Sequence, residues 1–181
     1  MIYKEKKLLL KNGKTVIFKS PSEDDWQKMI EYIKCVASET PYILRTPEEC
    51  KDTEESERAF IKRYNEDDCG CMISVFDGDT VVGNCNLTIR NRKKVRHRAE
   101  LAIGLRKSHY SLGIGTALIT ELSIIARNLG CTQFELTYVG GNTRAVNLYT
   151  KCGFVEVGRM PNGVRFDDGT YADDVYMVKK L

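Results

Sequence analysis

Apolar positions recur along this chain with two rhythms, every second residue in some stretches and every third or fourth in others. In "LLLKNGKTVIFK" two apolar runs flank Asn12-Gly13, a pair that accepts positive φ and marks a tight hairpin. "SPSEDDWQKMIEYIKCVASE" then sets Trp26, Met29, Ile30, Ile33 and Ala37 on one helical face, with Ser22 suited to cap the helix and acidic residues in its first turn. Past a proline-containing loop at 41–47 a second helix is expected over 53–64, on a thin apolar face of Phe60, Ile61 and Tyr64. "CMISVFDGDTVVGNCNLTIR" reads as two strands joined at Asp77-Gly78 and "RHRAELAIGL" as a third, which makes an antiparallel meander. The order then changes to helix (113–129), strand (132–138), helix (142–152), strand (154–158) and a last strand near 172–178.

That order predicts an α+β fold: a mixed sheet, antiparallel in its first half, with helical crossovers in its second. The crossover from the 96–105 strand to the 132–138 strand is expected to be parallel and right-handed. No repeat, low-complexity tract or linker interrupts the chain, and 181 residues suit one domain with one sizeable core.

Composition narrows the partners. A net charge of +3, from 28 Lys and Arg against 25 Asp and Glu, is too balanced to mark a nucleic-acid binder, and the basic run 90–98 reads as a solvated hairpin. No apolar stretch approaches the roughly 20 residues that span a bilayer, and the opening residues lack a secretory pattern, so a cytoplasmic protein with no membrane partner is expected. Seven cysteines, an odd number scattered through apolar segments, read as reduced core thiols. The tight pair "CGC" at 69–71 has only His97 and His109 as imidazole partners, and no metal site is expected.

Candidate chemistry gathers at "HYSLGIGTALI", residues 109–119, where strand gives way to helix across Gly113 and Gly115. A helix N-terminus presents unpaired N–H groups and the positive end of its dipole, so glycines there suit a phosphate. Without Cβ atoms both positions let an anion approach the main chain and let the turn adopt conformations other residues avoid; a merely tight turn is the plainer alternative. A dinucleotide fingerprint requires glycine where Leu118 stands, and a P-loop requires Gly-Lys-Ser/Thr where Gly115-Thr116-Ala117 stand, so both fail. On the strand before the turn, Ala99, Leu101, Ile103 and Leu105 share one face and Glu100, Ala102 and Gly104 the other. The second face sets a carboxylate beside near-absent side chains and leaves room for a ligand, unless Glu100 is simply solvated. In "VGGNTRAVNLYTKCGF", residues 139–154, Asn142 caps a short helix, Ala145, Tyr149 and Cys152 form a stripe, and Gly153 stops it. Taken alone, Tyr149 reads as a core tyrosine.

Together, in this order and spacing, the three pieces resemble the GNAT superfamily of N-acetyltransferases. Its acetyl-CoA motif is Gln/Arg-x-x-Gly-x-Gly/Ala at a helix start, followed after a strand by Asn-x-x-Ala-x-x-Leu-Tyr-x-x-x-Gly-Phe. The counterparts here are Tyr110-Ser111-Leu112-Gly113-Ile114-Gly115, then Asn142, Ala145, Leu148, Tyr149, Gly153 and Phe154. The likeness is specific over about 100–158 and topological over 1–95, and it departs at Tyr110, where Gln or Arg is usual.

The resemblance implies that 1–181 is a single N-acetyltransferase domain with a GNAT-like mixed, mostly antiparallel sheet flanked by helices. A V-shaped opening between the 96–105 and 132–138 strands would take acetyl-CoA as co-substrate. Its pantetheine would pair with backbone at Ala102, Ile103, Gly104 and Leu105, and its pyrophosphate with the amides of Leu112, Gly113, Ile114, Gly115 and Thr116. Tyr110, Ser111 and Asn142 join that site, with Arg106, Lys107 and Arg144 as supplementary cations. A primary amine, on a small molecule or on a protein or peptide, would attack the thioester directly. With an amine pKa near about 10.4 little of it is neutral at pH 7, so Glu100 is the candidate general base, commonly through water. A strand N–H near Ile103 or Gly104 would meet the oxyanion, and Tyr149 would protonate the departing thiolate. An acyl-cysteine route through Cys131 or Cys152 lacks a base beside the thiol. The acceptor site falls to residues 26–64 and the final hairpin, where Asp167, Asp168, Asp173 and Asp174 are candidates to draw a cationic amine. A non-catalytic acyl-CoA sensor on the same scaffold is the alternative, disfavoured by the presence of both Glu100 and Tyr149. Homodimers are frequent in the family, but no stripe in the sequence marks an interface.

Overall fold

In the computed structural model, which describes residues 1–181, the chain opens on the expected hairpin: β1 (Lys6–Leu9) pairs antiparallel with β2 (Thr15–Lys19), and Gly13 turns at φ +82°. A short 3-10 turn follows at Glu23–Asp25, where the Asp25 carboxylate accepts the Ser22 N–H (3.0 Å) and hydroxyl (3.1 Å). It leads into α1 (Trp26–Glu39), which buries Met29, Ile30, Tyr32, Val36 and Ala37. α2 (Glu54–Glu66) starts where the Thr53 hydroxyl accepts the Ser56 N–H, and it buries Ile61 completely.

The meander comprises β3 (Gly70–Asp77), β4 (Thr80–Ile89) and β5 (Arg98–Leu105). Then come α3 (Ile114–Asn128), β6 (Gln133–Val139), α4 (Thr143–Lys151), β7 (Val155–Arg165) and β8 (Tyr171–Lys180). All eight strands form one sheet in the order β1-β2-β3-β4-β5-β6-β8-β7, and only the β5–β6 pair is parallel. The α+β class and the antiparallel majority are therefore as expected. One feature differs from the sequence reading: β7 runs on to Arg165 instead of ending at 158, passing bulges on either side of Met160. The last strand inserts between β6 and β7.

Alternating residues of β3 feed two separate cores, because successive side chains of a strand point to opposite faces. Cys71, Ile73 and Val75 join a large cluster with Ile114, Leu118, Ile119, Leu122 and Ala126 of α3 and Tyr149 of α4. Met72 and Phe76 join a smaller one with Met29, Tyr32 and Val36 of α1 and Ile61 of α2. Each fully buried large apolar side chain contributes about 1.5–3 kcal/mol, so the face carrying α3 and α4 is the more firmly held. All seven cysteines are free thiols, four of them buried.

The parallel pair is short. β5 and β6 meet only at Arg98↔Gln133, Ala99↔Phe134 and Glu100↔Glu135. Beyond Glu100, β5 stays with β4 as far as Leu105 and β6 stays with β8 as far as Val139, so the two strands part and a wedge opens between them.

Candidate active site

A cleft of about 1100 Å³ occupies that wedge, walled by β5, by β6, by the starts of α3 and α4, and by the loop after α1. Glu100, Ala102, Ile103, Gly104, Leu105, Tyr110, Ser111, Gly113, Ile114, Gly115, Thr116, Asn142 and Tyr149 all line it, and Leu112 does not. Because β6 has moved away, the β5 backbone from Leu101 to Leu105 has no strand partner on the cleft side. Bare N–H and C=O groups along an extended strand form a template for a ligand with amide groups of its own.

The start of α3 explains its glycines separately. Gly113 is the N-cap at φ +94°, ψ −7°, a left-handed conformation that costs other residues about 1–2 kcal/mol, and Ser111 just before it also has positive φ (62°). With no side chain at the cap, the first N–H groups of α3 receive no intramolecular acceptor and face the cleft. Gly115 has a packing reason to be bare as well: a Cβ there would lie 2.8 Å from Leu148 Cδ2, so the missing side chain admits α4. At Gly104 a Cβ would come within 2.7 Å of the Tyr32 hydroxyl, so its bareness admits α1 while the residue still lines the cleft.

At the apex of the wedge four charged side chains meet. Arg98 grips Glu135 with two N–H groups, and that hydrogen bonding holds the Glu135 carboxyl below its usual range. Glu100 lies beside Glu135 across the parallel pair but is held only by Arg90, at 3.5 Å, and more than half of its side chain is exposed. Of two adjacent carboxylates, one is therefore neutralised and the other stays open to the cleft. Arg90 and Arg98, expected to be part of a solvated run, are drawn into this cluster.

Tyr149 sits at the other wall. Its ring is buried against Phe154 (centroids 6.0 Å apart) and Tyr138 (6.0 Å). The hydroxyl takes no hydrogen bond from the protein, and burial, with Cys152 and Tyr138 as lesser neighbours, pushes the phenol up to about 12. A proton held that tightly is present across the physiological range, which suits a donor. α4 is anchored for this by Asn142, whose Oδ1 accepts the Ala145 N–H at 3.1 Å, and it ends at Gly153 with φ +88°.

Sequence reasoning missed the strap formed by the loop after α1. Tyr42 donates its hydroxyl to Gly141 O at 3.1 Å and packs edge-on to Phe166, so the loop spans the cleft from α1 to the loop before α4 and to the β7–β8 turn. An isolated tyrosine in a Pro-rich loop gives no sequence signal; Tyr32 and Val36, one turn apart on α1, do give one for the packing on Gly104. The four aspartates considered for the acceptor are not gathered here. Asp168 is occupied by Thr170, Asp173 by Arg159 and the Asn162 N–H, and none of the four lines the cleft. Lys107 and Arg144 line it, whereas Arg106 does not and its Nε is buried without a partner.

A mixed sheet splayed at its one parallel pair, with helix starts facing the gap, is the scaffold that the sequence resemblance implied. Residues 38–154 match the acetyltransferase (GNAT) family, and the chain belongs to that family; it is an acetyltransferase. A GNAT-family acetyltransferase from Streptococcus pneumoniae superposes with a TM-score of 0.86 at 26% identity, over 92% of this chain and 99% of that one. A GNAT superfamily phosphinothricin acetyltransferase from Sinorhizobium meliloti, solved in complex with acetyl-CoA, superposes at 0.79 with 20% identity, over 96% of this chain and 89% of that one, a likeness of fold. Mouse (Mus musculus) thialysine N-epsilon-acetyltransferase is 46% identical over 41 residues, 23% of this chain and 24% of that protein. The chain thus matches about a quarter of the length of that curated relative. No helix is long and apolar enough to cross a membrane.

Proposed function

We propose that residues 1–181 are a single N-acetyltransferase domain that moves an acetyl group from acetyl-CoA to a primary amine, of a small molecule or of a protein or peptide, by direct attack. One observation carries this: the β5–β6 pairing ends at Glu100, so a bare strand edge, an uncapped helix start and a carboxylate open on one cleft. In this reading the β5 edge takes the pantetheine and the amides at the start of α3 take the pyrophosphate, held by hydrogen bonds to charge. Glu100 draws the proton from the attacking ammonium, directly or through water; the amine nitrogen bonds to the thioester carbon, and the negative oxygen of the intermediate meets a β5 N–H near Ile103 or Gly104. As the C–S bond breaks, the Tyr149 hydroxyl gives its proton to the leaving thiolate. Its lack of a protein partner supports the role. The seven free thiols support a cytoplasmic site of action.

Thermal stability during titration with acetyl-CoA, NAD and ATP tests the reading without choosing an acceptor. Acetyl-CoA at about 100 times its Kd is expected to add roughly 2.7 kcal/mol, with no shift from the other two. An amine panel read by thiol release then separates the enzyme from a sensor: Glu100→Gln is expected to lower kcat/KM by about 10²-fold or more. Tight acetyl-CoA binding with no release by any amine would favour the sensor, and no acetyl-CoA binding would end both readings.

A further inference from the structure

The charges on the cleft are sorted by side. Glu100 shares one face of β5 with Ala102 and Gly104, because side chains alternate along a strand, and the Gly104 position lies against Tyr32 of α1. The Glu100 carboxylate therefore opens toward the layer that holds α1, α2 and the strap. The cations on the cleft come from the other side: Lys107 from the turn before α3, Arg144 and Lys151 from α4. We propose that the acceptor is a primary amine with a single positive charge and an apolar body, and that Leu44 is the specificity residue that selects the body. The inference rests on the reading that this cleft acetylates an amine, and it narrows the class of amine.

The strap supplies the apolar surface. Pro41, Tyr42, Ile43 and Leu44 all line the cleft. Ile43 packs on the small core cluster, whereas Leu44 stays 73% exposed. A lone exposed leucine is ordinary on a protein surface, but this one is held in place from both sides. Tyr42 is tied to Gly141 O and to Phe166, and Arg45 binds Asp52 at 2.6 Å and Glu49 O at 3.1 Å. Fixed neighbours keep the Leu44 backbone where its side chain lines the cleft instead of joining the cluster. Apolar surface kept at a cleft is stabilised by an apolar group of a ligand. Charge leads to the same class. Glu39 and Glu100 are the two carboxylates on the cleft, and Glu39 already accepts the Lys107 N–H at 2.6 Å. One ammonium is thus matched by Glu100. A second would lose water against the strap with no carboxylate to meet it, which disfavours a polyamine.

The test ranks phenethylamine, ethylamine, putrescine and phenylalanylglycine amide by kcat/KM for thiol release with acetyl-CoA, and by calorimetric Kd with and without CoA. Phenethylamine is expected to exceed ethylamine and putrescine by about tenfold or more, the scale of discrimination an apolar contact provides. Leu44→Ser should shrink that ratio to about threefold or less, through KM, and Leu44→Met should restore it, while acetyl-CoA keeps its native Kd within about twofold in both variants. Use of phenylalanylglycine amide as well as phenethylamine assigns the apolar body to the first residue of a peptide, and its rejection assigns the body to a small molecule. Putrescine used as well as phenethylamine, or a native ratio in Leu44→Ser, would overturn the proposal. If acetyl-CoA does not bind but the amines keep the expected order of affinity, the acetyl-CoA reading of the cleft fails and the amine preference stands. If acetyl-CoA binds and that order is absent, the proposal fails alone.

Discussion

Tyr149 joins two properties that rarely coexist, a buried ring and a hydroxyl that no protein group engages. The hydroxyl is not sealed from solvent, because Tyr149 lines the cleft, and a ligand there can engage it. Tyr149→Phe removes the oxygen and keeps the ring against Phe154. Turnover is expected to fall about 10²-fold, with acetyl-CoA affinity and melting temperature nearly unchanged, as measured by thiol release and calorimetry. Equal losses of turnover and affinity would make Tyr149 structural. The glycines call for a different kind of variant. At Gly113 a Cβ meets nothing within 4 Å, so Gly113→Ala adds only the strain of a left-handed φ and should destabilise by about 1–2 kcal/mol in urea unfolding. Gly115→Glu carries a carboxylate to the anion site but also drives its Cβ into Leu148, and loss of acetyl-CoA binding there would mix repulsion with displaced packing.

Among the elements, α2 carries a titrating group that the chemistry does not use. Glu57 is 8% exposed, and burial, aided by Asp52 and opposed by Arg45, raises its carboxyl to about 7. Arg45 is committed to Asp52 at 2.6 Å and to Glu49 O. Below about pH 4 Glu57 is protonated folded or unfolded and contributes no pH dependence. Between the unfolded value of 4.5 and about 7 the folded state binds more protons, so stability falls as pH rises, and above about 7 the loss is complete. Glu57→Gln should therefore gain about 1–2 kcal/mol at pH 8 after allowance for solvent screening, and almost nothing at pH 4, in urea midpoints at the two pH values. α2 also shows how far local sequence carries. The Thr53 cap shows only in the structure, whereas the thin apolar stripe was legible, as were α1, α3, α4 and the hairpins, because each has a period of its own. β7 was not: "RMPNGVR" holds Pro161 and Asn162-Gly163, which read as a turn. An edge strand tolerates the missing N–H of proline, and Asn162 at φ +54° lets the pairing resume at Val164 after a bulge. The site followed the same rule. Glycine turn, Glu100 and Tyr149 lay in one patterned stretch, whereas the Tyr42 strap and the grip of Arg98 on Glu135 depend on contacts 99 and 37 residues apart.

At the scale of the whole molecule, the sheet separates two layers of unequal strength, and the cleft draws a wall from each. α3 and α4, which would hold the co-substrate, rest on the large cluster, while α1, α2 and the strap rest on the small one. Opening free energies follow the apolar area each unit buries, so the acceptor-side layer should open locally while the co-substrate side stays closed. Ile61 tests this because it is fully buried, belongs to the small cluster and lies outside the cleft. Ile61→Ala removes about 2–5 kcal/mol of packing from that layer alone. Hydrogen exchange is expected to accelerate tenfold or more at the amides of α1 and α2 and to stay at native rates in α3 and β6. Acceleration spread evenly over both faces would mean that the sheet couples them into one cooperative unit. Confinement to α1 and α2 would give the acceptor side freedom to admit an amine while the opposite wall keeps acetyl-CoA fixed, a division of labour that follows from which face of β3 each residue joined.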